Sequence, residues 1–171
     1  MLDMTTLYYL KSAFVWISKK SVTFIPGVGQ IMWLSGHILI DRKGKASIKA
    51  MYSAAKDRLD KGFSIFIFPQ GTRERTKTLP FKFGAFNIAQ NEQVDIVPVS
   101  LELSPNAWKR FFLYGYLWGI EEAKKNPGAI LTVHKPMDIK KYGGENTKEQ
   151  TQKMLNDAFD TVFSVLEQKK L

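Results

Sequence analysis

An α/β fold, a sheet with helices packed over it, is what this sequence predicts, and three observations predict it. Short apolar runs alternate with amphipathic stretches along the chain, reading as strand, helix, strand, helix. The 171 residues are 44% hydrophobic and 13% aromatic, enough to bury a core, and no shift in composition marks a second domain, so residues 1–171 are expected to form one. No internal repeat or low-complexity tract offers another architecture.

The elements follow in order. Residues 2–10 read as a short helix and Ala13 to Ile17 as a strand. Pro26 to Ser35 reads as a helix opened by a proline in the first turn, where its missing N–H costs nothing, and stopped by Gly36. His37 to Asp41 is a strand. Ser47 to Leu59 carries Ile48, Met51, Tyr52, Ala55 and Leu59 at helical spacing and ends near Gly62, so this helix should lie on the sheet. Phe63 to Phe68 is a continuous apolar run, expected to be a strand buried on both faces, and Pro69, which has no N–H for a ladder, ends it. Phe81 to Ala89 reads as a helix, and Asp95 to Leu101 and Ala129 to Val133 as strands. Thr147-x-x-Gln150 is a capping box for a last helix with Leu155, Ala158, Phe159, Val162, Phe163 and Leu166 on one face. Asn126-Pro127-Gly128 and Gly143-Gly144 are turns too short to act as domain linkers.

Composition excludes several chemistries. With no cysteine there is no disulfide, Cys nucleophile or Cys-ligated zinc, and His37 and His134 are too isolated in sequence to suggest a His-based metal site. No apolar run approaches the roughly eighteen residues of a spanning helix. The N-terminus lacks the organisation of a secretory signal. Lys and Arg total 25 against 16 acids, a net charge of +9, which suits phospholipid headgroups, phosphorylated small molecules, coenzyme A or nucleic acid without choosing among them. Trp108 to Ile120 mixes six aromatic residues with Lys109 and Arg110, a composition that fits either a bilayer interface or an aromatic loop packed into the core.

Phe68-Pro69-Gln70-Gly71-Thr72-Arg73 is the segment that carries chemistry, because it sets a guanidinium and turn amides at a strand end, the geometry of an anion site. Arg73 offers planar paired donors to phosphate oxygens, Gly71 allows close backbone approach with amides turned inward, and Thr72 adds a hydroxyl. Three further segments accompany it: Ile40-Asp41-Arg42, Phe81-Lys82-Phe83-Gly84 and Ile96-Val97-Pro98-Val99.

These four pieces, in this order, resemble the bacterial lysophosphatidic acid acyltransferases, the PlsC-like 1-acylglycerol-3-phosphate acyltransferase family. The family's signatures are a His-x-x-x-x-Asp box, Ile-Asp-Arg, Phe-Pro-Glu-Gly-Thr-Arg and Val-Pro-Val. The resemblance implies a glycerolipid-acyltransferase-like fold with a central, mostly parallel or mixed sheet covered by helices. It implies that Gln70, Gly71, Thr72 and Arg73 bind the acceptor's phosphate with help from Lys82, and that Asp41-Arg42 lines the acceptor site with Arg42 as a second phosphate contact. An Asp-Arg salt bridge at the strand end is the competing reading. Gln70 stands where the family usually has Glu, keeping length and hydrogen bonding while deleting a charge, which suits binding or positioning. Asp3 matches the carboxylate of the His-x-x-x-x-Asp box. Its His would fall three residues before Met1, so the sequence reads as truncated inside that box, with little turnover expected of it alone.

The function this implies is acyl transfer from an acyl thioester, acyl-coenzyme A or acyl-carrier protein, to 1-acylglycerol-3-phosphate, giving phosphatidic acid for phospholipid synthesis. No metal or bound cofactor is expected, since the thioester arrives as a substrate. The expected setting is peripheral, on the anionic cytoplasmic face of the cell membrane. The alternative is a non-catalytic remnant that binds lysophospholipid or acyl donor, or one completed by an upstream fragment in trans. His37 cannot form a dyad with Asp41, because four strand positions separate them by roughly 13 Å. His134, alone at a strand end, reads as structural or surface-exposed. Nucleic-acid binding is disfavoured, as no RRM, KH or zinc-finger pattern accompanies the basic residues.

Overall fold

A computed structural model of the chain describes residues 13–41, 44–71, 79–103, 129–143 and 148–167. The described residues fall into two units: one within Ser12–Ile96 and Asp138–Asp157, the other within Val97–Met137 and Ala158–Leu171.

The first unit is built on strand β1, Phe14–Lys19, whose alternating side chains give its sheet two different faces. Parallel strands flank it: β2, Ile38–Ile40, and β3, Ser64–Phe66, in the order β2-β1-β3. The register sets Ile17 against Ile38 and Trp16 against Phe66. On one face Val15, Ile17, Ile38, Ile40, Ile65 and Ile67 pack with Ala55, Met51 and Leu59 of helix α2, Lys45–Asp60, and with Ile88 of helix α3, Gly84–Glu92. Each fully buried aliphatic side chain here contributes about 1.5–3 kcal/mol. On the other face Phe14, Trp16, Phe66 and Phe68 form a run of ring contacts, with Trp16 and Phe66 centroids 4.8 Å apart.

Helix α1, Val28–Leu34, is shorter than the expected span from Pro26 to Ser35. It starts after Gly27, at φ 78°, and its buried Gly29 lies so close to the 3₁₀ turn Lys20–Phe24 that a β-carbon there would overlap the Thr23 carbonyl. The unit closes with the 3₁₀ turn Ile139–Tyr142 and the start of helix α4, Lys148–Glu167. Asp95 Oδ1 accepts from the Ile139 N–H, and Thr151 Oγ1 donates to Gln90 Oε1 in the core. Tyr142 donates to Asp157, and burial together with this bond pushes its phenol up to about 12.

The second unit holds an antiparallel pair, β4, Val99–Leu103, and β5, Ala129–Val133, in which Leu101 faces Leu131. The end of α4 adds the mutually tilted rings of Phe159 and Phe163, their centroids 4.4 Å apart.

The α/β architecture and the parallel sheet agree with the sequence, but three expectations need correction. Phe63 to Phe68 is not a strand buried on both faces: only Ser64–Phe66 is extended, at the sheet's edge, and Phe63 and Phe68 are each 40% exposed. Helix α3 begins at Gly84 instead of Phe81, because the Lys82 N–H donates to the Pro69 carbonyl and Phe81 packs on Phe86. Strand β4 begins at Val99 instead of Asp95, since Pro98 has no N–H for a ladder and Asp95 serves the Ile139 amide. The expected helix over 2–10, Thr147 of the capping box and the aromatic stretch from Trp108 to Ile120 lie outside the described residues.

Candidate active site

Parallel strands deliver their carboxyl ends to one edge of a sheet, and ligands of open α/β sheets bind beyond that edge. Here the edge gathers Lys19 at the end of β1 with Lys20 after it, Asp41 after β2, and the Phe68–Gly71 bend after β3. The bend is a turn closed by the Gly71 N–H donating to the Phe68 carbonyl at 3.0 Å. Pro69 supplies the fixed φ of its first corner, and Gly71 takes a φ of 72°, in the left-handed region open to glycine.

Three contacts fasten this bend to the segment that precedes α3. The Lys82 N–H donates to the Pro69 carbonyl at 2.9 Å. The Gln70 Nε2 donates to the Leu79 carbonyl at 3.1 Å. The Lys82 side chain lies over Gly71, so that a β-carbon on Gly71 would sit 3.1 Å from Nζ. Phe81, buried beside Phe86 in near-parallel stacking, anchors the lysine's backbone. Lys82 is exposed and makes no ion pair among the described residues, so its ammonium can meet an anion.

The structure thus brings Gln70, Gly71 and Lys82 together. Asp3, Arg42, Thr72 and Arg73 lie outside the described residues. Gly71 serves differently from expectation: its amide is committed to closing the turn, and its missing side chain leaves room for Lys82. Gln70 is a clamp, with one N–H of its side-chain amide given to the Leu79 carbonyl. Sequence reasoning passed over Lys19 and Lys20, whose signal was a pair of lysines directly after an apolar run.

Both histidines have structural partners. The Trp16 N–H donates to His37 Nδ1 at 3.1 Å, which puts the ring proton on Nε2, and burial lowers the imidazole's pKa from 6.5. His134 Nε2 lies 2.7 Å from the Ser100 hydroxyl, which donates its own proton to the Val162 carbonyl at 2.8 Å. A groove of about 890 Å³ lies along α3 and α4, lined by Phe83, Asn87, Lys148 and Gln152 among others, but none of the bend residues reach it.

In this α/β protein a glycine bend and a lysine with no ion pair among the described residues stand together at the carboxyl edge of a parallel sheet, an arrangement able to meet an anion. Residues 1–102 match the family model described as Acyltransferase, and the chain belongs to that family. Among curated relatives, the 1-acyl-sn-glycerol-3-phosphate acyltransferase of Salmonella typhimurium is 33% identical over 138 residues, covering 79% of this chain and 51% of that protein. The enzyme of the same name from Escherichia coli K12 is 33% identical over 137 residues, with the same shares covered. That from Helicobacter pylori J99 is 42% identical over 95 residues, covering 54% of this chain and 40% of that protein. The chain spans about half the length of the first of these relatives. The crystal structure of the LPA acyltransferase PlsC from Thermotoga maritima shares the fold, with a TM-score of 0.64 at 22% identity, over 99% of this chain and 62% of that one.

Proposed function

We propose that this protein transfers an acyl group from an acyl thioester to the free hydroxyl of 1-acylglycerol-3-phosphate, forming phosphatidic acid. The acceptor hydroxyl attacks the thioester carbonyl and loses its proton, and the thiol departs. The observation that carries this reading is the Lys82 ammonium, without an ion pair among the described residues, held over Gly71 at the sheet's carboxyl edge, in a chain whose curated relatives are named for this reaction. In this reading Lys82 receives the acceptor's phosphate. Thr72 and Arg73, next in sequence after Gly71, and Arg42, next after Asp41, add donors in this reading, and Asp3 belongs to the base that accepts the hydroxyl proton. His37 does not take that part, since its bare nitrogen is occupied by the Trp16 amide.

The donor is acyl-coenzyme A or acyl-carrier protein, and neither a metal nor a bound cofactor enters the reaction. The protein works peripherally at the anionic cytoplasmic face of the cell membrane. Among the described residues no helix is long and apolar enough to cross a membrane.

The test offers 1-acylglycerol-3-phosphate with each thioester in turn and measures phosphatidic acid by mass spectrometry, with and without a chelator. Product that forms equally with the chelator, and a Lys82→Met variant with a raised KM, are the expected results. Acceptor that neither binds nor reacts overturns the reading.

A further inference from the structure

Helix α1 carries its apolar side chains the wrong way round for a helix in water. Only Gly29 and Met32 are buried. Ile31 is 63% exposed, Trp33 71% and Leu34 75%, and Phe24, at the end of the 3₁₀ turn that Gly29 holds against α1, is 83% exposed. Ile25, between turn and helix, is also exposed. Scattered exposed leucines need no explanation, but five large apolar side chains within eleven consecutive residues form a patch that water disfavours.

The charge around the patch selects its partner. From Ala13 to Ile40 the sequence contains no carboxylate, while Lys19 and Lys20 stand exposed at the entrance to the 3₁₀ turn. A tryptophan and aliphatic side chains backed by lysines, with no acid among them, match an anionic bilayer interface, where rings sit at headgroup level and basic residues meet lipid phosphates.

We infer that the knuckle from Lys20 to Leu34 is a membrane-docking surface that inserts Phe24, Ile31, Trp33 and Leu34 into the headgroup region of an anionic lipid bilayer. The inference rests on the proposed reaction to the extent that its acceptor is a membrane lipid. The knuckle presses the protein onto the leaflet that holds the acceptor, and the close packing allowed by Gly29 keeps the inserted side chains on one rigid surface.

The experiment sediments the full chain with vesicles of phosphatidylcholine plus phosphatidylglycerol, and with phosphatidylcholine alone. It compares the wild type with the combined variant Phe24→Ser, Ile31→Ser, Leu34→Ser. All three positions are exposed, so the variant should keep its thermal midpoint while its partition onto the mixed vesicles falls on the order of 100-fold. Should the combined variant not fold, Leu34→Ser alone is used, with quenching of tryptophan fluorescence by brominated lipid in wild type and Trp33→Phe as the second readout. Most of the lipid-dependent quenching is expected to disappear with Trp33. Partition unchanged by the serine substitutions, or quenching unchanged by Trp33→Phe, overturns the inference. So does a vesicle-free wild-type dimer that the serine variant converts to monomer, which would assign the patch to a second copy. Acyl transfer to detergent-dispersed acceptor is measured in parallel: its absence strikes the proposed reaction alone, while vesicle binding decides the docking surface.

Discussion

The Ser100–His134 pair and the Gln70–Gly71–Lys82 bend invert the usual impression of where chemistry lies. A serine hydroxyl 2.7 Å from an imidazole resembles an activated nucleophile, yet proton accounting rules it out. Ser100 has one hydroxyl proton and gives it to the Val162 carbonyl, so His134 must donate from Nε2 and cannot take a proton from the serine there. Ser100 is also buried, out of reach of a substrate. The bend, by contrast, looks like an ordinary turn, and at the sheet edge it holds a cation that meets no carboxylate among the described residues. Close polar contact marks groups already satisfied, whereas the proposed site is a group held in place with no charge partner among the described residues.

Exchanging the two clusters' expected responses is the strongest way to break this contrast. Lys82→Met should raise the dissociation constant for 1-acylglycerol-3-phosphate about 10- to 100-fold, the worth of a charge-assisted bond, with an unchanged thermal midpoint. Ser100→Ala should do the reverse, lowering unfolding stability by about 1–3 kcal/mol because the Val162 carbonyl and His134 lose a buried partner, with acceptor affinity unchanged. Calorimetric titration and denaturant unfolding of both variants check the pair. Lost affinity in the serine variant at intact stability would erase the distinction.

Gly71→Ala sharpens the role of the bend. A β-carbon at φ 72° costs about 1–2 kcal/mol, and it also crowds Lys82 Nζ, so stability and affinity should fall together. Gln70→Glu is milder. The carboxylate cannot donate to the Leu79 carbonyl, so the clamp opens at a cost of about 1 kcal/mol in unfolding. A Glu variant as stable as the wild type would show that the clamp is not what holds the bend.

Much of this was legible in the sequence, for reasons that also mark where legibility ended. Residue types that carry chemistry, in Phe68-Pro69-Gln70-Gly71 and Phe81-Lys82, point to the candidate site, and Pro69 marks the bend there without tertiary help, although the strand itself already ends at Phe66. The start of α3 was misplaced because the Lys82 N–H has its partner at Pro69, thirteen positions earlier in sequence. The burial of Phe63 and Phe68 was misjudged because an apolar run does not disclose whether its strand is central or at an edge. The helix near Pro26 was foreseen, but spacing alone cannot say that Ile31 and Leu34 face outward, since the wet side of a nearly all-apolar helix is decided by what packs against Gly29 and Met32.

The smallest effect tests whether His37 belongs with Ser100 and His134 as a spent group. Its Nδ1 accepts the Trp16 N–H and burial lowers its pKa, so the folded state resists protonation more than the unfolded chain, whose imidazole titrates near 6.5. Between 6.5 and the lower folded value the unfolded state binds more protons. The contribution of the neutral ring is therefore whole above 6.5 and is lost progressively as pH falls through the folded value. His37→Asn keeps an acceptor near the position of Nδ1 but cannot titrate. The wild type should lose thermal midpoint below pH 6.5 more steeply than His37→Asn, while the two coincide in slope above it. Matching slopes below that pH would mean that His37 is hydrated well enough to protonate in place, and it would then stand apart from the buried serine cluster.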